Sequence, residues 1–379
     1  MQDAAAPTLK TGTSDYPVLR ISKKALRNNL TLIRDLCPPK TKILIPVKAN
    51  AYGCGISAML PFFQENSIDF LGVANPREGS ELRDLGWEGE ILNLGGFFRN
   101  SVDLFFEHNI IPSITDLWQI KALNDAATRF DRILDVHIKM DYGMGRVGIK
   151  AESIGELVCL FEDTDHLKVS GIFTHFPDAD VEKGGSTPGI LNKFHSGVQK
   201  LLNGLGVRRE DVILHSANSY GILYHPETHL DMVRPGLIFY GYFQTYEDYK
   251  ALASRYSVTP SLELTAKPIS LRSLQKGETI SYGSTYSVEK SNYPVGVIPL
   301  GYADGIPRSL SNKIEFQGKP LLGNVTMDQI VLGGLDKDGE NVRLLGEGSP
   351  PLEYWAHLSN TISYEILIGL GQRLQRIME

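Results

Sequence analysis

Cysteine is scarce in this chain of 379 residues, which holds only Cys37, Cys54 and Cys159. An odd number with no paired short spacing argues against a disulfide framework and against a zinc site. Long apolar runs are missing too: the longest, such as Ile43 to Val47 and Val295 to Leu300, fall far short of the roughly 20 residues that cross a bilayer. A membrane is therefore not an expected partner. Nor is there an excess of basic charge. The formal net charge is -6, with Lys and Arg scattered among Asp and Glu, so no basic stripe can neutralise a nucleic-acid backbone. Met1 to Pro17 lacks the charged start and apolar middle of a signal peptide and reads as an N-terminal arm. The cytoplasm is the compartment these absences leave.

What is present is the composition of a soluble globular protein, 42% hydrophobic and 22% charged, long enough for a large barrel with an attached domain. Ser22 can cap a helix in which Leu26, Leu30, Ile33 and Cys37 recur every three or four residues, stopped by Pro38-Pro39. Short apolar runs then alternate with helix-length stretches. The runs are Ile43 to Val47, Phe70 to Val73, Ile91 to Leu94, Ile110 to Ile114, Ile133 to Ile138, Val169 to Phe173, Val212 to Leu214 and Leu237 to Tyr240. About eight such units, apolar without strict alternation, predict a parallel sheet covered on both faces and closed into a (β/α)8 barrel. Past about Ala253 the helical period disappears, strands alternate, and Gly and Pro punctuate closely, which predicts a mainly-β C-terminal domain. The expected division is an arm over 1–17, a barrel over 18–252 and a β domain over 253–379, with the first strand near 18–21 joining the C-terminal domain.

In a barrel, chemistry gathers where strands run out into the following loops. Lys48 stands at such a place, directly after Ile43 to Val47 and before the loop signal Ala-Asn-Ala-Tyr-Gly. Position alone leaves two readings open: a solvated surface lysine, or an amine that loses hydration in the mouth and becomes a Schiff-base nucleophile.

Its neighbours carry more. The segment Pro46-Val47-Lys48-Ala49-Asn50-Ala51-Tyr52-Gly53-Cys54-Gly55 resembles the pyridoxal-phosphate lysine motif of the alanine racemase family. Further stretches match in the same order: His137 to Asp141 with Gly143-Met144-Gly145-Arg146, Thr174-His175-Phe176, His215 to Ser219, and Val233-Arg234-Pro235-Gly236. Later come Ser281 to Tyr286, Gly301 to Gly305, Met327-Asp328-Gln329 and Ile362 to Glu365. The resemblance runs from about Val18 to Ile377.

It implies a homodimer with shared active sites that interconverts L- and D-alanine with pyridoxal 5'-phosphate, supplying D-alanine for peptidoglycan. Lys48 and Tyr282 of the partner subunit would be the two bases, one on each face of Cα. Tyr52, Ser219, Gly236, Leu237 and Tyr364 match phosphate-binding positions, and backbone amides suit a phosphate that has no Lys or Arg pair. Arg234 matches the position facing the pyridine nitrogen, where a group that only donates disfavours protonation of the ring. His175 and Arg234 would support the phenolate form of Tyr282. Arg146 and the Met327 amide, with Asp328 beside it, match groups around the substrate carboxylate, and Tyr302 matches the residue that narrows the entrance. Lys139 falls where many members carry a carbamylated lysine; uncarbamylated, it would repel Arg146. No metal is implied.

Departures from the family pattern are Cys54 for a common histidine, Asn324 for a common arginine and Thr326 for Cys or Ser. They bear on substrate preference, and a racemase for serine or of broader range is the alternative. A non-catalytic pyridoxal-phosphate protein of the same barrel would lack the β domain with Tyr282. A related decarboxylase would carry an acidic group at the position of Arg234.

Overall fold

The computed structural model describes residues 16–379, so of the expected N-terminal arm only Tyr16 and Pro17 are described. The chain forms two compact units: one holds Lys23–Phe243 and Ala251–Thr259, the other the segment up to Ser22, Gln244–Lys250 and Pro260–Glu379.

After β1 (Val18–Ile21) come the strands of the first unit: β2 (Lys42–Pro46), β3 (Phe70–Val73), β4 (Glu90–Asn93), β5 (Ser113–Ile114), β6 (Leu134–Lys139), β7 (Leu167–Phe173), β8 (Ile213–His215) and β9 (Met232–Val233). They form one eight-stranded sheet in the order β4-β3-β2-β9-β8-β7-β6-β5, with every pairing parallel. A parallel bridge between Leu92 and Ile111 brings the edges β4 and β5 together, so the sheet curls into a barrel. Strands such as β2 are apolar on both faces because side chains fill the inside and helices cover the outside; Ile43, Leu44 and Ile45 are all buried. Leu44, Phe70, Leu92 and Met232 form one core cluster across four strands.

Local signals set the helices. Lys23–Leu36 buries Leu26, Leu30 and Ile33 on one face and ends before Pro38-Pro39. Asn75 caps Pro76–Asp84, its Oδ1 accepting from the amides of Arg77 and Glu78 at 3.0 and 3.3 Å. One expected strand is a helix. Leu237–Tyr240 forms a single turn closed by Gly241 at φ 93°, and the eighth barrel strand is Met232–Val233. Four apolar residues without alternation fit a buried turn as well as a buried strand, and a two-residue strand is too short to show a period.

The second unit is mainly β. Strand β10 (Leu262–Ala266) joins β1 antiparallel, β18 (Val342–Leu345) flanks β10, and β19 (Gln375–Met378) lies parallel to β1. The other large sheet takes β11 (Ser270–Leu274), β14 (Tyr293–Ile298), β17 (Ile330–Gly333), β16 (Lys319–Leu322) and β15 (Glu315–Phe316) in that order. Between them β12 (Thr279–Ile280) and β13 (Tyr286–Ser287) form a ribbon. Ile280 packs with Val288, Val295 and Leu322, which anchors the base of that ribbon's loop.

Candidate active site

The first unit places Lys48, Lys139, His175 and Arg234 at or just beyond the C-terminal ends of β2, β6, β7 and β9. The segment after Lys48 is unusual: Ala49, Asn50, Ala51 and Tyr52 all have φ between 53° and 56°, a left-handed turn built without glycine. L-residues avoid this region at a cost of about 1–2 kcal/mol each, so the surroundings must enforce it. Glu78 does part of this, accepting from the amides of Ala49 (2.9 Å) and Ala74 (2.7 Å), while Asn50 Oδ1 accepts from the amide of Ile56 at 2.7 Å. Lys48 keeps accessible surface in the barrel mouth although the walls crowd its amine. That desolvation, helped by Arg146 and opposed by Glu78, holds the amine below the ordinary lysine pKa.

Arg234 is buried, and among the described residues its partners are all neutral. It donates to the carbonyls of Thr174 (2.8 Å) and Ser216 (2.9 Å) and to Nδ1 of His215 (2.8 Å). Nδ1 of His175 lies 3.4 Å away. Because arginine can only donate, His215 must carry its proton on Nε2, which faces Nδ1 of His137 at 2.9 Å. The same logic puts the proton of His175 on Nε2. Burial, with the charge of Arg234, pushes His137 and His175 down to about 3, so both imidazoles are neutral near pH 7. Burial also lowers Arg234 to about 9, which still leaves it a cation.

A second cluster surrounds Gly236. A Cβ there would come within 2.9 Å of Tyr52 Oη and 3.7 Å of Ser219 Oγ, so glycine leaves open the space these hydroxyls enclose. Tyr52 is held by stacking on Tyr240 (4.9 Å between centroids), whose own hydroxyl donates to the carbonyl of Pro46. Leu237 is buried beside this space at the start of its helical turn.

Cations dominate the mouth. Lys139 is buried over the ring of Phe173, and burial followed by Arg146, Arg234 and Lys48 brings its amine down to about 8, against the pull of Asp141. Asp141 is used otherwise: burial pushes its carboxyl up, but amides of Gly143, Gly145 and Arg146 at 3.0–3.1 Å outweigh that and hold it below the ordinary range. It thereby shapes the loop that carries the exposed Arg146.

The remaining predicted residues lie in the second unit. Tyr282, 76% exposed, tops the loop between β12 and β13. The amides of Tyr302 and Ala303 donate to the carbonyls of Thr326 and Met327, which ties the Tyr302 turn to the Met327 loop. Asp328 pairs with Arg373 at 2.7 Å, and Tyr364 is half-buried in the helix Ser363–Gly369. Among the described residues no cluster of His, Cys, Asp or Glu is arranged to hold a metal ion, and no helix is long and apolar enough to cross a membrane.

Residues 21–244 match the alanine racemase N-terminal domain, and residues 261–378 the alanine racemase C-terminal domain. The chain belongs to the alanine racemase family. Alanine racemase of Halothermothrix orenii is 32% identical over 368 residues, covering 94% of this chain and 95% of that one. The solved alanine racemase of Clostridium difficile 630 superposes with a TM-score of 0.88 at 30% identity, covering 97% of each chain. The structure from Bartonella henselae, described with covalently bound pyridoxal phosphate, gives 0.81 at 28% identity over 96% of this chain and 99% of that one.

Sequence reading assigned no part in this alanine racemase fold to Glu78, His137 or His215. Asn75-Pro76 followed by an acidic residue is a helix-start signal that points to Glu78. His137 and Lys139 are two apart on one strand and so share a face. The pairing of His137 with His215 has no signal in either segment.

Proposed function

We propose that this chain is a pyridoxal-phosphate-dependent alanine racemase that interconverts L- and D-alanine in the cytoplasm, supplies D-alanine for peptidoglycan, and works as a homodimer with shared sites. The observation that carries the reading is Arg234, a buried cation whose hydrogen bonds run only to neutral acceptors, in the same mouth as the crowded amine of Lys48. The residues fit the cofactor. Tyr52 and Ser219 enclose a space at Gly236 that suits a phosphate group, and the surplus of cations favours its charge.

When bound, pyridoxal phosphate withdraws electrons from Cα of an attached amino acid and makes its proton removable. Each protein group then has a task. Tyr52, Ser219 and the amides of Gly236 and Leu237 hold the phosphate, with Tyr364 adding a phenol. Arg234 would donate toward the ring nitrogen and disfavour its protonation, which would limit electron withdrawal and favour return of the proton to Cα. Lys48 takes or gives that proton at Nζ on one face, and its lowered pKa keeps neutral amine available. Tyr282 of the partner subunit serves the other face, oriented by the Nε2–H of His175. Arg146 and the Met327 amide hold the substrate carboxylate beside Asp328, while Tyr302 narrows the way in. Tyr282, Tyr302 and Met327 are large exposed side chains, which suits a face completed by a second copy. At a pKa of about 8, roughly a tenth of Lys139 is neutral at pH 7, enough to add to carbon dioxide with release of a proton. The resulting carbamate would attract Arg146 where the ammonium repels it.

Lys48→Ala tests the assignment: visible cofactor absorption of the wild-type kind and racemisation should disappear together, while cofactor is still retained through its phosphate. Substantial racemase activity in that variant without added amines would overturn it. Loss of optical rotation with L-alanine, L-serine and L-lysine in turn decides the substrate, and a faster rate on serine would replace alanine in the reading.

A further inference from the structure

Tyr282 is three-quarters exposed, and among the described residues its phenol has no hydrogen-bond partner in its own chain. Within its own chain, what aims this side chain therefore acts through the backbone, before any contact with His175 across the subunits. That backbone is distorted: Ser281 sits at φ 66°, ψ 179°, a region essentially reserved for glycine, and Gly283 and Ser284 follow at φ 74° and 50°. Two reciprocal hydrogen bonds hold it. Ser281 Oγ donates to the carbonyl of Asn324 at 2.6 Å, and Asn324 Nδ2 donates to the carbonyl of Tyr282 at 2.7 Å. The strands beneath leave no slack, because at Gly323 a Cβ would meet the Ile280 carbonyl at 2.6 Å and Ser281 Cβ at 2.9 Å. Asn312 extends the tie, accepting from the Gly323 amide at 2.6 Å and donating to Thr285.

We propose that Ser281 and Asn324 form a clamp that positions Tyr282 for proton transfer, which makes both of them positioning residues. The proposal rests on the reading of Tyr282 as one of the two bases. Position 324 contributes a backbone acceptor to Ser281 and a side-chain donor to Tyr282, and the short amide of Asn324 closes the second bond at 2.7 Å. Asn324, a departure from the family pattern, is on this account a component of the catalytic loop.

Asn324→Asp keeps the shape and removes the donor, and Ser281→Ala removes the other bond. In the holoenzyme each should lower kcat by roughly 10-fold to 100-fold with little change in KM, the range expected when a reacting group is displaced by about an ångström. The α-deuterium isotope effect should rise for the one enantiomer whose proton Tyr282 takes and stay unchanged for the other. Hydrogen–deuterium exchange of the peptide 279–286 should quicken in both variants with the rest of the unit protected. If Asn324→Asp does not fold, Ser281→Ala decides. Equal effects on both enantiomers, or wild-type kinetics with unchanged exchange, overturn the clamp. A Tyr282→Phe control separates the two ideas: near-normal activity in that variant refutes Tyr282 as a base, whereas an inactive Tyr282→Phe beside a normal Asn324→Asp refutes only the clamp.

Discussion

His137 and His215 meet at 2.9 Å although an entire strand, Leu167–Phe173, runs between the strands that carry them. What lets them meet is Gly171, the residue of that middle strand in register with both His137 and Ile213. A Cβ on Gly171 would overlap the imidazole of His137. The glycine thus provides a gap in the barrel interior through which the hydrogen bonds of Arg234 extend to a second histidine.

Gly171→Ala is expected to displace His137 and break its bond to His215. The methyl enters a close-packed barrel, so a stability loss of about 1–3 kcal/mol should follow, read from urea unfolding midpoints. Racemase activity should fall by a larger factor than for Ala substitution at the exposed Gly155, which lies in a helix with nothing within 4 Å. Tolerance of the methyl with neither stability nor activity changed would mean that the histidine pair is not held by this gap.

The buried imidazoles also set a pH dependence. His137 and His175 are depressed to about 3 and His215 well below its ordinary value, whereas the unfolded chain titrates near 6.5. Between these values the unfolded state binds more protons, so stability rises with pH; it is complete above about 6.5 and is lost as pH falls toward 3. Each histidine contributes up to about 1.4 kcal/mol per pH unit in that window, before carboxylates such as Asp141 begin to protonate. Urea midpoints at about pH 7.5, 6.5 and 5.5 should decline, and His137→Gln should flatten the decline. A midpoint constant across that range would show that the histidines protonate within the fold.

Arg234→Glu reverses the electrostatics at the proposed ring position. A carboxylate there can stabilise a protonated nitrogen, which strengthens electron withdrawal and lengthens the interval before Cα is reprotonated. Racemisation should drop by about 100-fold or more, and pyruvate should form slowly from alanine as the amino group passes to the cofactor, up to one equivalent per bound cofactor, measured with a coupled dehydrogenase. Unaltered racemisation with no keto acid would remove Arg234 from the ring.

Some of this was legible in the sequence and some could not be. The place of Lys48 at a strand end follows from the buried run Ile43 to Val47, because a strand covered on both faces must read as continuous apolar sequence. Leu237–Tyr240 misled for the same reason: four apolar residues carry no period, and only the packing of Phe239 on Phe62 and Phe63, with Tyr240 on Tyr52, makes them a helical turn. The left-handed turn from Ala49 to Tyr52 was invisible, since in Ala-Asn-Ala-Tyr only Asn50 leans toward positive φ and the other three avoid it. Glu78 enforces it from a different helix. The histidine pair is likewise tertiary, formed by strands that are not neighbours.

Lys48 belongs to the barrel unit and Tyr282 stands exposed on the other, so the proposed dimer gives each site one residue from each subunit. Lys48→Ala and Tyr282→Phe should each be nearly inactive as homodimers. Co-expressed, or mixed after unfolding, they form hybrids in which one site receives both lesions and the other combines an unaltered Lys48 with an unaltered Tyr282 across the two-fold interface. Random pairing makes about half the dimers hybrids with one sound site each, so roughly a quarter of wild-type activity should return. Were both residues drawn from the same chain, every site in every hybrid would still carry one lesion. Demonstrated subunit exchange with no recovered activity would therefore confine Tyr282 to its own subunit.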